Sequence, residues 1–190
     1  MNTQEKLRKL TMAALTFALV ILFGFSGMAQ TKKELRQQRK EKENQEQNLR
    51  FNKAKAAMMD TAFVIPVESI QFRNHGVTNV TQNINFVQVI GADGVLQIGS
   101  DLAPGPGLNN LGGFTLKGPI SNIKIKEKKN KVYMSYVLTG LIGTARISIS
   151  IVGSNKAMVD VDGMYSGRAF TMRGDLQTLK EANVFEGTEF

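Results

Sequence analysis

Asp160 and Asp162 stand two residues apart in an alternating segment, so both side chains leave the same face of a strand. Two carboxylates about 6–7 Å apart suit a divalent metal or a general acid/base pair. Arg146 weakens that assignment. It falls opposite Asp162 in the register derived below, and an arginine lowers a carboxylate pKa where a general acid needs it raised. The only histidine, His75, lies in the turn signal Asn74-His75-Gly76, with no second imidazole to complete a metal site. Cysteine is absent, which excludes a disulfide scaffold, a thiolate metal site and a thiol nucleophile. These residue types lead us to expect no catalytic residue, no metal and no cofactor, and so not an enzyme.

Binding is the softer chemistry left. Residues 99–113 carry five glycines and two prolines, a loop of a length that is often functional. It lacks the Gly-Lys-Ser/Thr ending of a phosphate cradle, and no helix follows it. As a cover over a pocket it would offer Leu108, Leu111 and Phe114 as ligand contacts. Asp60-Thr61-Ala62 is similar to the O-glycosylation acceptor of exported Bacteroidetes proteins, which makes Thr61 a modification candidate. Asn79-Val80-Thr81 is a formal N-glycosylation triplet of a kind that arises by chance.

These candidates sit on a chain built for export. Lys6, Arg8 and Lys9 precede an apolar run from Leu10 to Phe25, and Gly27 and Ala29 then set a small-x-small cut before Gln30. Residues 1–29 therefore read as a cleaved signal peptide and the mature protein as periplasmic. The alternative is an uncleaved membrane anchor, since Leu10 to Ala29 is just long enough to span about 30 Å. The basic residues that follow, Lys32 to Lys42, resist transfer and favour that alternative.

The net charge of +8 is unevenly spread. Residues 30–56 hold nine Lys/Arg against four Glu, whereas residues 57–190 hold twelve against eleven Asp/Glu. A nucleic-acid footprint belongs on the folded domain with stacking aromatics, so we expect no nucleic-acid partner. The membrane is expected only transiently, through the signal, or weakly, through the basic leader on anionic lipid.

The positioning elements follow from periodicity. Residues 30–60 lack Gly and Pro and are rich in Gln, Glu, Lys and Arg, which predicts a charged helix. Phe51, Ala54 and Met58 form one helical face able to dock on the domain. From residue 61 the period becomes two. Phe63, Ile65 and Val67 alternate, and Ile70 and Phe72 resume in the opposite phase, which requires a bulge near Pro66 to Ser69. Ile84 and Phe86 open a second strand, and Gly91-Ala92-Asp93-Gly94 turns it into a third. About eight short strands without intervening helices predict an all-β antiparallel meander over 61–176, a sandwich or a barrel-like curved sheet. Residues 177–190 read as a loosely held acidic tail. One register is fixed by burial. A three-residue loop, Gly153-Ser154-Asn155, pairs Ile151–Ala157, Ile149–Val159 and Ile147–Val161 on the core face, with Arg146 opposite Asp162. A two-residue loop would set Ile149 against Asp160.

From Lys53 to Leu176 the chain resembles an exported Bacteroidetes family known as domain of unknown function 4251. The resemblance rests on Ala-Ala-Met-Met at 56–59, the aromatic-led strand at Phe63, the Gly112-Gly113-Phe114 close and the final Phe170 to Gly174 segment. It implies an all-β envelope domain behind a signal peptide and supplies no catalytic residue. We therefore expect a non-catalytic binding module for a small apolar or amphiphilic ligand, or a peptide, in the concave side of the sheet. The partner would be that ligand or another envelope protein. The alternative is a structural or interaction protein whose basic leader contacts anionic membrane or envelope components.

Overall fold

Strict alternation of apolar and polar residues over long stretches leaves the backbone one way to bury half its side chains, which is to pair into a curved sheet. The computed structural model describes residues 32–72, 76–99, 111–163 and 169–187. The signal segment 1–29, Leu108 and His75 lie outside the described residues. The chain divides into two units, residues 1–46 and 47–190. Helix α1 runs over 32–59. In the first unit its residues 32–46 are exposed throughout, as a stretch with almost no apolar side chain must be.

The second unit is a closed antiparallel barrel. Strands β1 (Ala62–Phe72), β3 (Phe86–Ile90), β4 (Asp93–Ile98), β5 (Phe114–Lys128), β6 (Lys131–Gly140), β7 (Gly143–Val152), β8 (Lys156–Asp162) and β9 (Phe170–Asp175) pair in that order, and β9 returns to β1. Two short strands, β2 (Val77–Asn79) and β10 (Gln177–Thr178), add to β1. Closure turns the expected sandwich or barrel into a barrel and satisfies the outer strands on both sides.

Strand β1 is the seam. Its first half, Ala62 to Pro66, pairs with β3, and Val67 to Phe72 pairs with β9. The register shifts between Val67 and Ser69, where the phase change of the apolar residues required a bulge. The chains approach closely there. A Cβ on Gly174 would lie 2.0 Å from the Pro66 carbonyl oxygen, so only glycine fits. The β7–β8 hairpin has the register expected from burial, Ile151↔Ala157 through Arg146↔Asp162.

Inward residues of all eight strands form one buried cluster. Phe51, Ala54 and Met58 of α1 belong to it, joined by Ala57, so the docking face expected of the helix is in use. Phe51 and Met58 contribute about 1.5–3 kcal/mol each on burial, and each alanine methyl about 0.8 kcal/mol.

The strand expected from Ile84 and Phe86 to Ile90 is β3, which begins at Phe86, and the expectation that needs correction is the loosely held tail. Ile84 lies in a turn, and Phe86 points away from Val87 and Val89 into a second, smaller cluster with Val64 and Val95. That cluster sits under Ala182 and Val184 of the C-terminal segment, which is therefore docked and not loosely held. The physical reason is a set of buried polar side chains on the same wall, Asn85, Gln97 and Thr115. Gln97 Nε2 donates to the carbonyls of Phe185 (2.8 Å) and Ile84 (3.1 Å), and its Oε1 accepts from Gly187 N (2.7 Å) and Thr115 Oγ1 (3.0 Å). A buried amide must be satisfied, and the tail backbone supplies half of its partners. Glu181 closes the near end. Its carboxyl is pulled down to about 2 by the Lys53 ammonium and by hydrogen bonds from Thr178.

Candidate functional site

The residues first suspected of chemistry are dispersed. Asp160 and Asp162 project from β8 onto the outer wall of the barrel and are exposed. Arg146 stands opposite Asp162, as the register required. The Asp160 carboxylate accepts a hydrogen bond from Thr171 Oγ1 at 2.7 Å. Among the described residues no three His, Cys, Asp or Glu side chains converge to hold a metal ion.

Leu111 and Phe114 are half-buried where the glycine-rich segment re-enters β5, and Phe114 packs against the main core. Neither lines the cavities described below. Thr61 forms the corner between α1 and β1, half-buried, with φ of 49°. Its N–H donates to the Met58 carbonyl at 3.2 Å, and its own carbonyl accepts from Gly91 N at 2.8 Å.

One side-chain polar group stands out in the barrel interior. Tyr136 lies within the core, and its hydroxyl has no hydrogen-bond partner among the described residues. Burial holds it neutral and raises its pKa well above the usual phenol range.

Polar chemistry concentrates on the outer wall of β5 to β9. Two transverse rows follow from the pairing register. One runs Lys124–Ser135–Ser148–Asp160–Thr171 and the other Lys126–Tyr133–Ser150–Met158–Arg173. Each member alternates with an inward apolar residue, such as Ile125, Met134, Ile149 or Val159. The serines are short and their neighbours are long, so the wall is recessed between Tyr133, Lys126 and Asp160. That recess has a volume of about 290 Å³. A second recess of about 430 Å³ adjoins it past Ser150 and Met158, reaching Arg173 and Glu68.

Lysines border the first recess. Lys124, Lys126 and Lys128 occupy alternate outward positions on β5, and Lys131 pairs with Lys128 across the hairpin. None of the four makes an ion pair among the described residues. Glu127 leaves the opposite face and pairs with Lys55 of α1 at 2.9 Å. The expectation that positive charge lies on the leader and not on the domain is thus incomplete. Averaging over 134 residues hid a local stripe, although Lys124-Ile125-Lys126 already displays it at strand period.

The family model for Domain of unknown function (DUF4251) matches residues 43–176. A crystal structure of a DUF4251 family protein from Bacteroides eggerthii DSM 20697 is similar, with 30% sequence identity and a TM-score of 0.64, covering 75% of this chain and 96% of that one. No curated protein matches the chain.

Proposed function

We propose that this chain, which belongs to the domain-of-unknown-function family DUF4251, works as a non-catalytic binding module outside the cytoplasm, with its ligand surface on the outer wall of β5 to β9. The observation that carries this reading is the placement of polar groups. The interior is packed with the chain's own apolar side chains, those of α1 included. Serine hydroxyls, an exposed tyrosine edge and the side chains of Lys124 and Lys126 share the outer recess instead. Such groups recognise hydrogen-bonding ligands and have no buried acid, base or nucleophile with which to transform them. Export rests on the signal pattern of residues 1–29.

Native mass spectrometry of the protein purified from its own envelope tests both parts. The expected mature mass begins at Gln30 and carries a retained ligand, which the recess-filling variant Ser150→Trp loses. A mass that includes residues 1–29, or a ligand held equally by the variant, would overturn the reading.

A second reading has its own observation. Lys32, Arg36, Arg39 and Lys40 share one exposed face of α1, which Glu43 ends one turn further on, with Glu34 and Glu41 on the other side. That stripe suits an anionic membrane or envelope surface, at about 1 kcal/mol per basic residue. Co-sedimentation with anionic vesicles that is lost in Arg36→Ser/Arg39→Ser would favour it.

A further inference from the structure

The lysine ladder and the recess beside it have a combined chemistry that neither has alone. We infer that the outer face of the β5–β6 hairpin binds an acidic polysaccharide, its carboxylates or sulfates on Lys124, Lys126, Lys128 and Lys131 and one sugar ring on Tyr133. This rests on the outer wall being the binding surface. Lys124 to Lys128 spans on the order of 13 Å along one strand, so the charges form a line and not a point. A line of cations matches a polymer with repeated anionic groups better than a single small anion.

The neighbouring groups decide which polymer. Tyr133 pairs with Lys126 on one side and Ser150 on the other, and its ring is 43% exposed. An aromatic face flanked by hydroxyls offers a pyranose ring an apolar platform and hydrogen-bond partners together. Asp160 stands at the far wall of the same recess, on β8, three strands from β5. Its carboxylate accepts from sugar hydroxyls, so the anionic groups of the polymer lie on the lysine side and the hydroxyls on the Asp160 side. Nucleic acid prefers several stacking aromatics, and Tyr133 is the exposed aromatic of this wall among the described residues. An anionic membrane would meet a convex surface carrying apolar side chains to insert, whereas this surface is recessed at Ser135, Ser148 and Ser150.

The test uses the whole chain and four probes, read by isothermal titration at two salt concentrations. The probes are alginate as a polyuronate, neutral dextran, phosphatidylglycerol vesicles and single-stranded DNA. Alginate is expected to bind tightest and to weaken with salt. Lys124→Ser/Lys126→Ser should weaken it about tenfold or more, while the leader variant Arg36→Ser/Arg39→Ser changes it less. Tyr133→Ala should weaken alginate several-fold and leave DNA binding near its original level. All these positions are exposed, and circular dichroism checks that each variant is folded. The inference is overturned if vesicles or DNA bind more tightly than alginate, or if the ladder variant binds alginate normally. Dextran binding that depends on Tyr133 but not on the lysines removes the acidic ligand and keeps the wall. If no wall substitution alters any probe, the wall reading falls as well.

Discussion

Replacing Met58 by alanine asks whether α1 is part of the barrel core. Met58 is 0% exposed, and it joins Phe51, Ala54 and the inward strand residues in one cluster. Truncating a buried methionine removes its transfer energy and leaves a cavity, at a cost of about 2–5 kcal/mol. For a unit of this size each kcal/mol lowers Tm by about 2–4 °C, so the expected drop is about 4–20 °C. The neighbouring residue supplies the control. Met59 is 42% exposed in the same helical turn, and Met59→Ala makes the same change in helix propensity. Its effect should stay within about 0.5 kcal/mol. Urea unfolding followed by circular dichroism compares the two with the parent protein. If Met58→Ala and Met59→Ala shift the midpoint equally, the helix does not complete the core. The barrel interior would then be open to the ligand site first expected there.

Gly174→Ala places a methyl against the Pro66 carbonyl, where the atom on the other side is backbone and cannot swing aside. We expect a loss of about 3 kcal/mol or more, and a urea midpoint equal to the parent's would contradict the seam geometry. Gln97→Leu strips the partners from Phe185 O and Gly187 N. It should cost about 1–3 kcal/mol and speed amide hydrogen exchange across residues 182–187, whereas unchanged protection would mean the tail is held by its apolar contacts alone. Tyr136→Phe removes a buried hydroxyl without a partner, so stability at pH 7 should be unchanged or slightly higher. The folded pKa of Tyr136 lies above its ordinary 10.0, so the folded state holds the proton longer than the unfolded chain. The parent should therefore lose stability as pH rises beyond about 10, and the phenylalanine variant should lose less. Urea midpoints at pH 8 and pH 10.5 that move in parallel would refute this.

The barrel was legible where alternation is long and turns are short. Ile147, Ile149 and Ile151 face Val161, Val159 and Ala157 because a slip by one residue would set Ile149 against Asp160. The β1 bulge was legible because the phase change between Val67 and Ile70 has no other remedy. The face that Phe86 takes was not legible, because it is apolar in either phase. What turns it outward is Val64 and Val95 beside it and the tail above it, contacts made across the sequence. The docked tail was missed for a related reason. Nothing local to residues 182–187 announces a binding partner, since the signal is a glutamine more than eighty residues away that must be satisfied. The lysine ladder was present in the sequence and lost in the averaging. Five of the domain's twelve Lys/Arg lie between Lys124 and Lys131, so near-neutrality of the whole said nothing about one hairpin.

Asp160 illustrates how the fold reassigns a residue picked for its chemistry. At spacing two from Asp162 it has the outline of an acid/base pair, and a strand does put both carboxylates on one face. A catalytic acid needs a setting that holds its proton, such as burial or a second carboxylate in a dry cleft. Asp160 is exposed and already accepts a hydrogen bond from Thr171, so it has neither the burial nor the second carboxylate of such a setting. A charged acceptor beside serines and a tyrosine, with lysines one row away, is suited to orienting hydroxyl groups and not to moving protons. The closed barrel makes that outcome general. Its inward positions are taken up by packing, its strand edges by pairing and its C-terminal segment by Gln97, which leaves the recessed outer wall as the surface where polar residues can meet a ligand.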